Sequence, residues 1–206
     1  HRPADSIRRI PNGIETKRYT KRAQRGAFPG YSQYQGEIVV GTIAGLRPVK
    51  NLPRLVRAVA AAGPNVKLAM AGEGPGRERI MAEAHRLGIA DRLMMPGFLR
   101  DPSRFVGLFD IFALSSDSEQ YPISLVEAMA AFRAVVSTDV GDVRNIVHPN
   151  NKRFIVPRDD ETALADAVRE LAGDAALRKS LGDDNARRAY AEYDEELMFA
   201  RYRQLY

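Results

Sequence analysis

Two carboxylates and two cations stand at spacings that suit the recognition of anions and hydroxyl groups. Glu119 and Glu127 lie eight positions apart in the run 115–132, SSDSEQYPISLVEAMAAF. Ser124 followed three residues later by Glu127 matches a capping box. It predicts a helix opening at Ser124, with Glu127 in its first turn and Glu119 in the preceding loop. The free N–H groups and dipole of a helix start attract anions, and carboxylates beside it can accept hydrogen bonds from hydroxyls. A phosphorylated sugar offers both. The two acids also fit plainer roles, a helix cap and a solvated loop residue. Arg47 and Lys50 follow a β-branched run, in a turn that begins at Gly45. Two cations at the end of a strand can neutralise a departing diphosphate, where the charge of the transition state accumulates.

Positioning these groups takes a strand before each loop and a helix after it. Residues 37–44 (EIVVGTIA) are apolar on both faces, as a central parallel strand requires. The cationic loop follows, then an amphipathic helix over 52–62. Residues 110–114 form the strand that feeds the two-glutamate loop. Further strands are expected at 65–71, 92–95, 134–139 and 152–156. Helices are expected from the 72–76 turn to about 87, at 103–109, and at 160–172, 175–193 and 195–206, with Asp159 or Asp160 capping the first of these three. Strands and helices alternating in roughly thirty-residue units predict an α/β fold, a parallel sheet of about six strands with helices on both faces. Such sheets bind ligands at the carboxyl edge of their strands.

Bulk properties narrow the classes. At 206 residues with 45% hydrophobic content the chain suits one sizeable domain. No run of eighteen apolar residues occurs, and no charged-then-apolar leader, so no membrane span or export is expected. Cysteine is absent, which excludes disulfides and thiolate metal sites and fits a cytoplasmic setting. His1, His85 and His148 show no metal-ligand spacing. The net charge is +5, with Arg2, Arg8, Arg9, Lys17, Arg18, Lys21, Arg22 and Arg25 concentrated at the start. No RNA-binding signature accompanies them, and Tyr19, Phe28, Tyr31 and Tyr34 read as loop aromatics, so nucleic acid is not expected. A solvated surface comes first and attraction to a membrane surface second. The turn Gly72-Glu73-Gly74-Pro75-Gly76 has the wrong spacing for a dinucleotide fingerprint, and no strand-end acid follows about twenty residues on. That disfavours a nicotinamide-dependent oxidoreductase.

The run from Glu119 to Ala130 (EQYPISLVEAMA) resembles the signature of the nucleotide-sugar-dependent "group 1" (family four) glycosyltransferases, two Glu separated by seven residues and followed by Ala-Met-Ala. Other landmarks fall in the family's order. Ile10-Pro11-Asn12-Gly13 resembles the passage into the second domain, and Gly72-Glu73-Gly74-Pro75 resembles the family's Gly-x-Gly-Pro turn. The resemblance implies a Rossmann-like, doubly wound parallel sheet with C-terminal helices, the donor-binding half of a two-domain GT-B enzyme. By the same resemblance Glu119 holds the donor sugar and Glu127 the ribose hydroxyls, while Ile123, Ser124 and Leu125 cradle the pyrophosphate. Gly97, Phe98 and Leu99 lie where the family reads the nucleobase, with packing favoured over stacking for the Phe98 ring. Lys50 matches the family's phosphate-binding lysine. The arginine of that pattern falls on Gly45, a donor-binding position, and an arginine stands two residues later at Arg47. Asp142 and Asn145 replace a glycine and a glutamate in the family's later motif, and no role is assigned to them.

The resemblance therefore implies retaining transfer of a sugar from a nucleoside diphosphate, with UDP and GDP as the leading donors, to a glycan or lipid-linked acceptor. Neither cofactor nor metal is expected. Residues 1–36 read as an interdomain linker and 37–206 as the donor domain, with the acceptor-binding domain lying outside the sequence. The chain alone is expected to be inactive or nearly so, and the whole enzyme could associate peripherally with the inner face of a membrane. A non-catalytic nucleotide(-sugar)-binding module shares every motif and is the alternative.

Overall fold

The strand runs are apolar on both faces because helices cover both faces of the sheet. The structure, a computed structural model, describes residues 8–20 and 23–205. His1, Arg2, Lys21 and Arg22 of the basic amino end, and Tyr206 at the close of the last expected helix, lie outside them. The strands are β1 (Ile38–Ile43), β2 (Val66–Ala71), β3 (Leu93–Gly97), β4 (Ile111–Leu114), β5 (Ala134–Thr138) and β6 (Ile155–Val156). Between and after them run α1 (Leu52–Ala62), α2 (Arg77–Arg86), α3 (Ile123–Ala130), α4 (Val143–Ile146), α5 (Glu161–Gly173), α6 (Ala175–Glu192) and α7 (Glu195–Arg203). All strand pairs are parallel, in the order β3-β2-β1-β4-β5-β6. This is the doubly wound order, and its direction reverses between β1 and β4.

Alternate residues of each strand serve opposite layers. Val40, Ile111 and Val136 pack with Leu55 and Val59 of α1 and Leu164 and Val168 of α5. Val39, Phe112 and Val135 pack with Leu125 and Met129 of α3 and Ala189 of α6. Asp160 caps α5 as expected, its carboxylate accepting from Ala163 N at 2.8 Å. On the first layer Arg57 of α1 ties three helices together. Its guanidinium makes two bonds to Glu161 of α5, at 2.6 and 2.7 Å, and one of 2.9 Å to Glu83 of α2. Hydrogen bonds from Arg86 and Arg57 hold the Glu83 carboxyl down at about 2. A carboxylate with a lowered folded value stabilises the fold above its unfolded value and loses that contribution as pH falls through the folded one. Glu83→Gln should therefore lower stability at neutral pH and flatten its loss between about pH 4.5 and 2, as followed by chemical denaturation.

Three local expectations are corrected. Residues 103–109 form two 3₁₀ turns, Pro102–Arg104 and Val106–Leu108, instead of one helix. The break lets Phe105 and Phe109 both turn inward onto Phe28, at ring distances of 5.7 and 5.9 Å. The last strand is only Ile155–Val156, because Pro149 opens a 3₁₀ stretch over Pro149–Phe154. Within it the buried Asn151 side chain bonds Val135 N and O, at 3.1 and 2.7 Å. That takes up backbone groups a longer β6 could have paired. The stretch after Thr20 has a linker's composition, yet Phe28 is fully buried and Tyr31 donates to Leu108 O at 2.9 Å. Upstream, Ile14 N donates to Tyr193 O and Glu195 N to Ile14 O, both at 2.9 Å, tying the amino segment to the carboxyl helices.

Candidate functional site

The loops after β1 and β4 leave the sheet at its reversal point and meet there. Lys50 Nζ lies 2.6 Å from Glu119 Oε1, with side chains 15% and 9% exposed. Ser116 Oγ donates to the same oxygen at 2.6 Å. A carboxylate this sheltered is stable here because two donors, one charged, replace its water. Lysine has three protons to give, so an anion can join Lys50 without breaking the pair.

A latch between the two loops sets this distance. Ser115 Oγ donates to Lys50 O and Asn51 O at 3.0 and 3.1 Å, and Asp117 N donates to Val49 O at 2.8 Å. The Asn51 amide reaches Asp117 at 3.1 Å, and Arg54 from α1 reaches it at 2.9 Å. Asn51 sits at φ 41°, a left-handed conformation that asparagine tolerates and that turns the loop into α1. Ser115, Ser116, Asp117 and Arg54 escaped the sequence reading. The only mark of the first three was a short polar loop behind a buried strand, and Arg54 stood unmarked in the helix over 52–62.

Beside the pair opens a cleft of about 640 Å³, lined among others by Gly45, Arg47, Lys50, Glu73, Phe98, Leu99 and Asp101. A Cβ on Gly45 would lie 3.6 Å from Arg47 Nε. The Arg47 side chain thus folds back over Gly45, in van der Waals contact with where a Cβ there would stand. Phe98 is 66% exposed on the rim, which corrects the packing expectation. Gly97 (φ 95°) ends β3 in a turn, and Phe98 N then donates to Glu73 Oε1 at 3.3 Å. The ring is left over the cleft.

The capping box is also corrected. Pro122 is the N-cap and α3 starts at Ile123, so Ser124 lies inside the first turn and caps nothing. Proline's restricted φ starts the helix early. Leu125 N already donates to Pro122 O at 3.1 Å, which leaves Ile123 and Ser124 as the foremost amides of the predicted cradle. Glu127 moves into the second turn and accepts from the Tyr19 hydroxyl at 2.7 Å. Burial pushes its carboxyl above the usual carboxylate range, and the Asp101 charge adds to this, while the Tyr19 bond opposes it. Burial and then the Glu127 charge push the Tyr19 phenol up in turn. The structure therefore brings Gly45, Arg47, Lys50, Phe98 and Leu99 to the cleft, with Glu119 joined to it through Lys50 and Gly97 against Glu73, while Ile123, Ser124, Leu125 and Glu127 are not among its lining residues. Among the described residues no group of three or more His, Asp or Glu is placed to hold a metal ion.

Residues 27–188 match the family model for group 1 glycosyl transferases, and the chain belongs to that family. It is 25% identical over 207 residues to N-acetyl-alpha-D-glucosaminyl L-malate synthase of Bacillus anthracis, covering 100% of this chain and 54% of that protein. Among solved structures, sucrose-phosphate synthase of Thermosynechococcus elongatus superposes with a TM-score of 0.85 at 25% identity, over 97% of this chain and 51% of that one. HepE of Anabaena, solved in complex with UDP, superposes with a TM-score of 0.87 at 21% identity, over 98% of this chain and 57% of that one. The chain thus spans about half the length of the proteins it resembles. Its sheet is the Rossmann-like one found in these GT-B glycosyltransferases, and among the described residues no helix is long and apolar enough to cross a membrane.

Proposed function

We propose that this chain is the donor-binding half of a retaining glycosyltransferase, seating a nucleoside-diphosphate sugar in the cleft beside Lys50 and Glu119. The observation that carries this is the meeting of those two side chains, 2.6 Å apart, at the carboxyl edge of β1 and β4. That edge is where doubly wound sheets place ligands. Lys50 and Arg47 face the diphosphate, with the Ile123 and Ser124 amides at the start of α3. Glu119 accepts from the sugar hydroxyls and Glu127 from the ribose. Gly97 to Leu99 border the base, and the exposed Phe98 ring is free to stack on it.

In the reaction the bond between the anomeric carbon and the β-phosphate oxygen breaks, and its electron pair leaves with the diphosphate. An acceptor hydroxyl attacks from the same face and gives its proton to the departing phosphate oxygen. Lys50 and Arg47 hold the charge that develops there. The acceptor, a glycan or a lipid-linked sugar, would be bound by a region beyond this sequence, with any membrane contact belonging to the whole enzyme. By itself the chain binds donor and transfers scarcely at all. Its match to named glycosyltransferases favours an enzyme over a mute binding module.

Calorimetric titration with UDP, GDP and ADP tests the donor seat. One of them should bind saturably, and Glu127→Ala should weaken it roughly 10–100-fold, the worth of hydrogen bonds to a charged group. Absence of binding by all three would overturn the proposal.

A further inference from the structure

We infer that Tyr19, from the amino segment, is a positioning residue for the donor: its hydroxyl fixes the Glu127 carboxylate for the ribose. The inference rests on the donor seat proposed above. Tyr19 is 7% exposed, and its hydroxyl is bonded to Glu127 Oε1 at 2.7 Å. The backbone on either side holds that ring in place. Tyr19 N donates to Thr16 O at 3.0 Å, and the Tyr190 hydroxyl of α6 donates to Tyr19 O at 2.8 Å. The neighbouring Arg18 spans to Asp101 on the cleft wall, at 3.0 Å. The segment is thus tied to Glu127 and α6 on one side and to Asp101 of the cleft wall on the other.

A hydroxyl at that distance does two things to a carboxylate sheltered from water. It replaces a lost water contact with a bond favouring the charged form, against burial and the nearby Asp101 charge. It also occupies one oxygen in a fixed direction, so that the other is presented to the ligand in one orientation. Pre-set acceptors of this kind need no reordering when the ligand arrives. Tyr19 itself needs no contact with the donor.

The test uses the nucleoside diphosphate that the titration above selects, together with its 2′,3′-dideoxy form. Tyr19→Phe keeps the ring and its packing and removes only the hydroxyl. It should weaken the ribonucleotide about tenfold, the size of one hydrogen bond to a charged group. The dideoxy form, which offers Glu127 no hydroxyl, should change less than about twofold. On a Glu127→Ala background, Tyr19→Phe should have no further effect on the ribonucleotide, because the group it positions is gone. Equal weakening of both ligands, or an undiminished loss on the Glu127→Ala background, would show a merely structural tyrosine. Either result overturns the inference while leaving the donor seat standing. If the unaltered chain binds no nucleoside diphosphate, the seat and the inference fall together.

Discussion

Lys50→Met should cost the chain both its stability and its ligand, and a second substitution should restore only the first. The single change strands Glu119 at 9% exposure with Ser116 as its remaining donor. Removing one partner of a fully buried pair costs about 3–5 kcal/mol. The cleft is open to water on one side, so roughly 2–3 kcal/mol is expected. At this chain length that is a fall of about 4–12 °C in melting temperature. Adding Glu119→Gln removes the orphaned charge, and most of the lost stability should return, since a missing pair is cheaper than a broken one. Nucleoside-diphosphate affinity should stay low in both variants, because the phosphate cation is absent from both. Thermal melts and titrations on the two proteins read these effects separately. Recovered affinity in the double variant would show that Lys50 serves only to neutralise Glu119.

Gly141→Ala should damage the same site from a different strand. Gly141 follows β5 at φ 54°, where a Cβ would lie 2.3 Å from Glu119 O and 2.8 Å from Gln120 O. The left-handed conformation alone costs roughly 1–2 kcal/mol for a residue other than glycine. The overlap is with backbone, so the two-glutamate loop must move away, and Asp142 N loses its 3.0 Å bond to Gln120 O. A loop that carries Glu119 away from the donor forfeits a hydrogen bond to a charged group, worth roughly tenfold or more in affinity. Donor binding should therefore fall by tenfold or more, beyond what the stability loss explains. Gly173→Ala gives the contrast, since nothing lies within 4 Å of a Cβ there. That change should leave affinity untouched and stability level or slightly raised.

The fold was legible in the sequence wherever burial decided the local structure. The run 37–44 and the helix over 52–62 match β1 and α1 closely because their apolar spacing is the packing itself. Legibility failed where one side chain overrode a pattern. Ser124 and Glu127 spelled a capping box, but Pro122 started the helix first. The amino segment looked like a linker because its few anchors, Tyr19 and Phe28, are scattered among basic residues, and only the tertiary structure shows what they bury against. The pairing of Lys50 with Glu119 follows from strand order, which motif spacing does not encode. The Arg47 side chain lying over Gly45 is likewise a matter of coordinates: sequence shows an arginine moved by two residues, not where its guanidinium goes.

A crystal structure of the chain with its nucleoside diphosphate tests the central claim most directly. The account predicts phosphate oxygens within hydrogen-bond reach of Lys50 Nζ and the Ile123 and Ser124 amides. The Arg47 guanidinium should close from above Gly45, and the ribose hydroxyls should lie on Glu127. A diphosphate seated elsewhere, with the Lys50–Glu119 pair facing empty solvent, would contradict it.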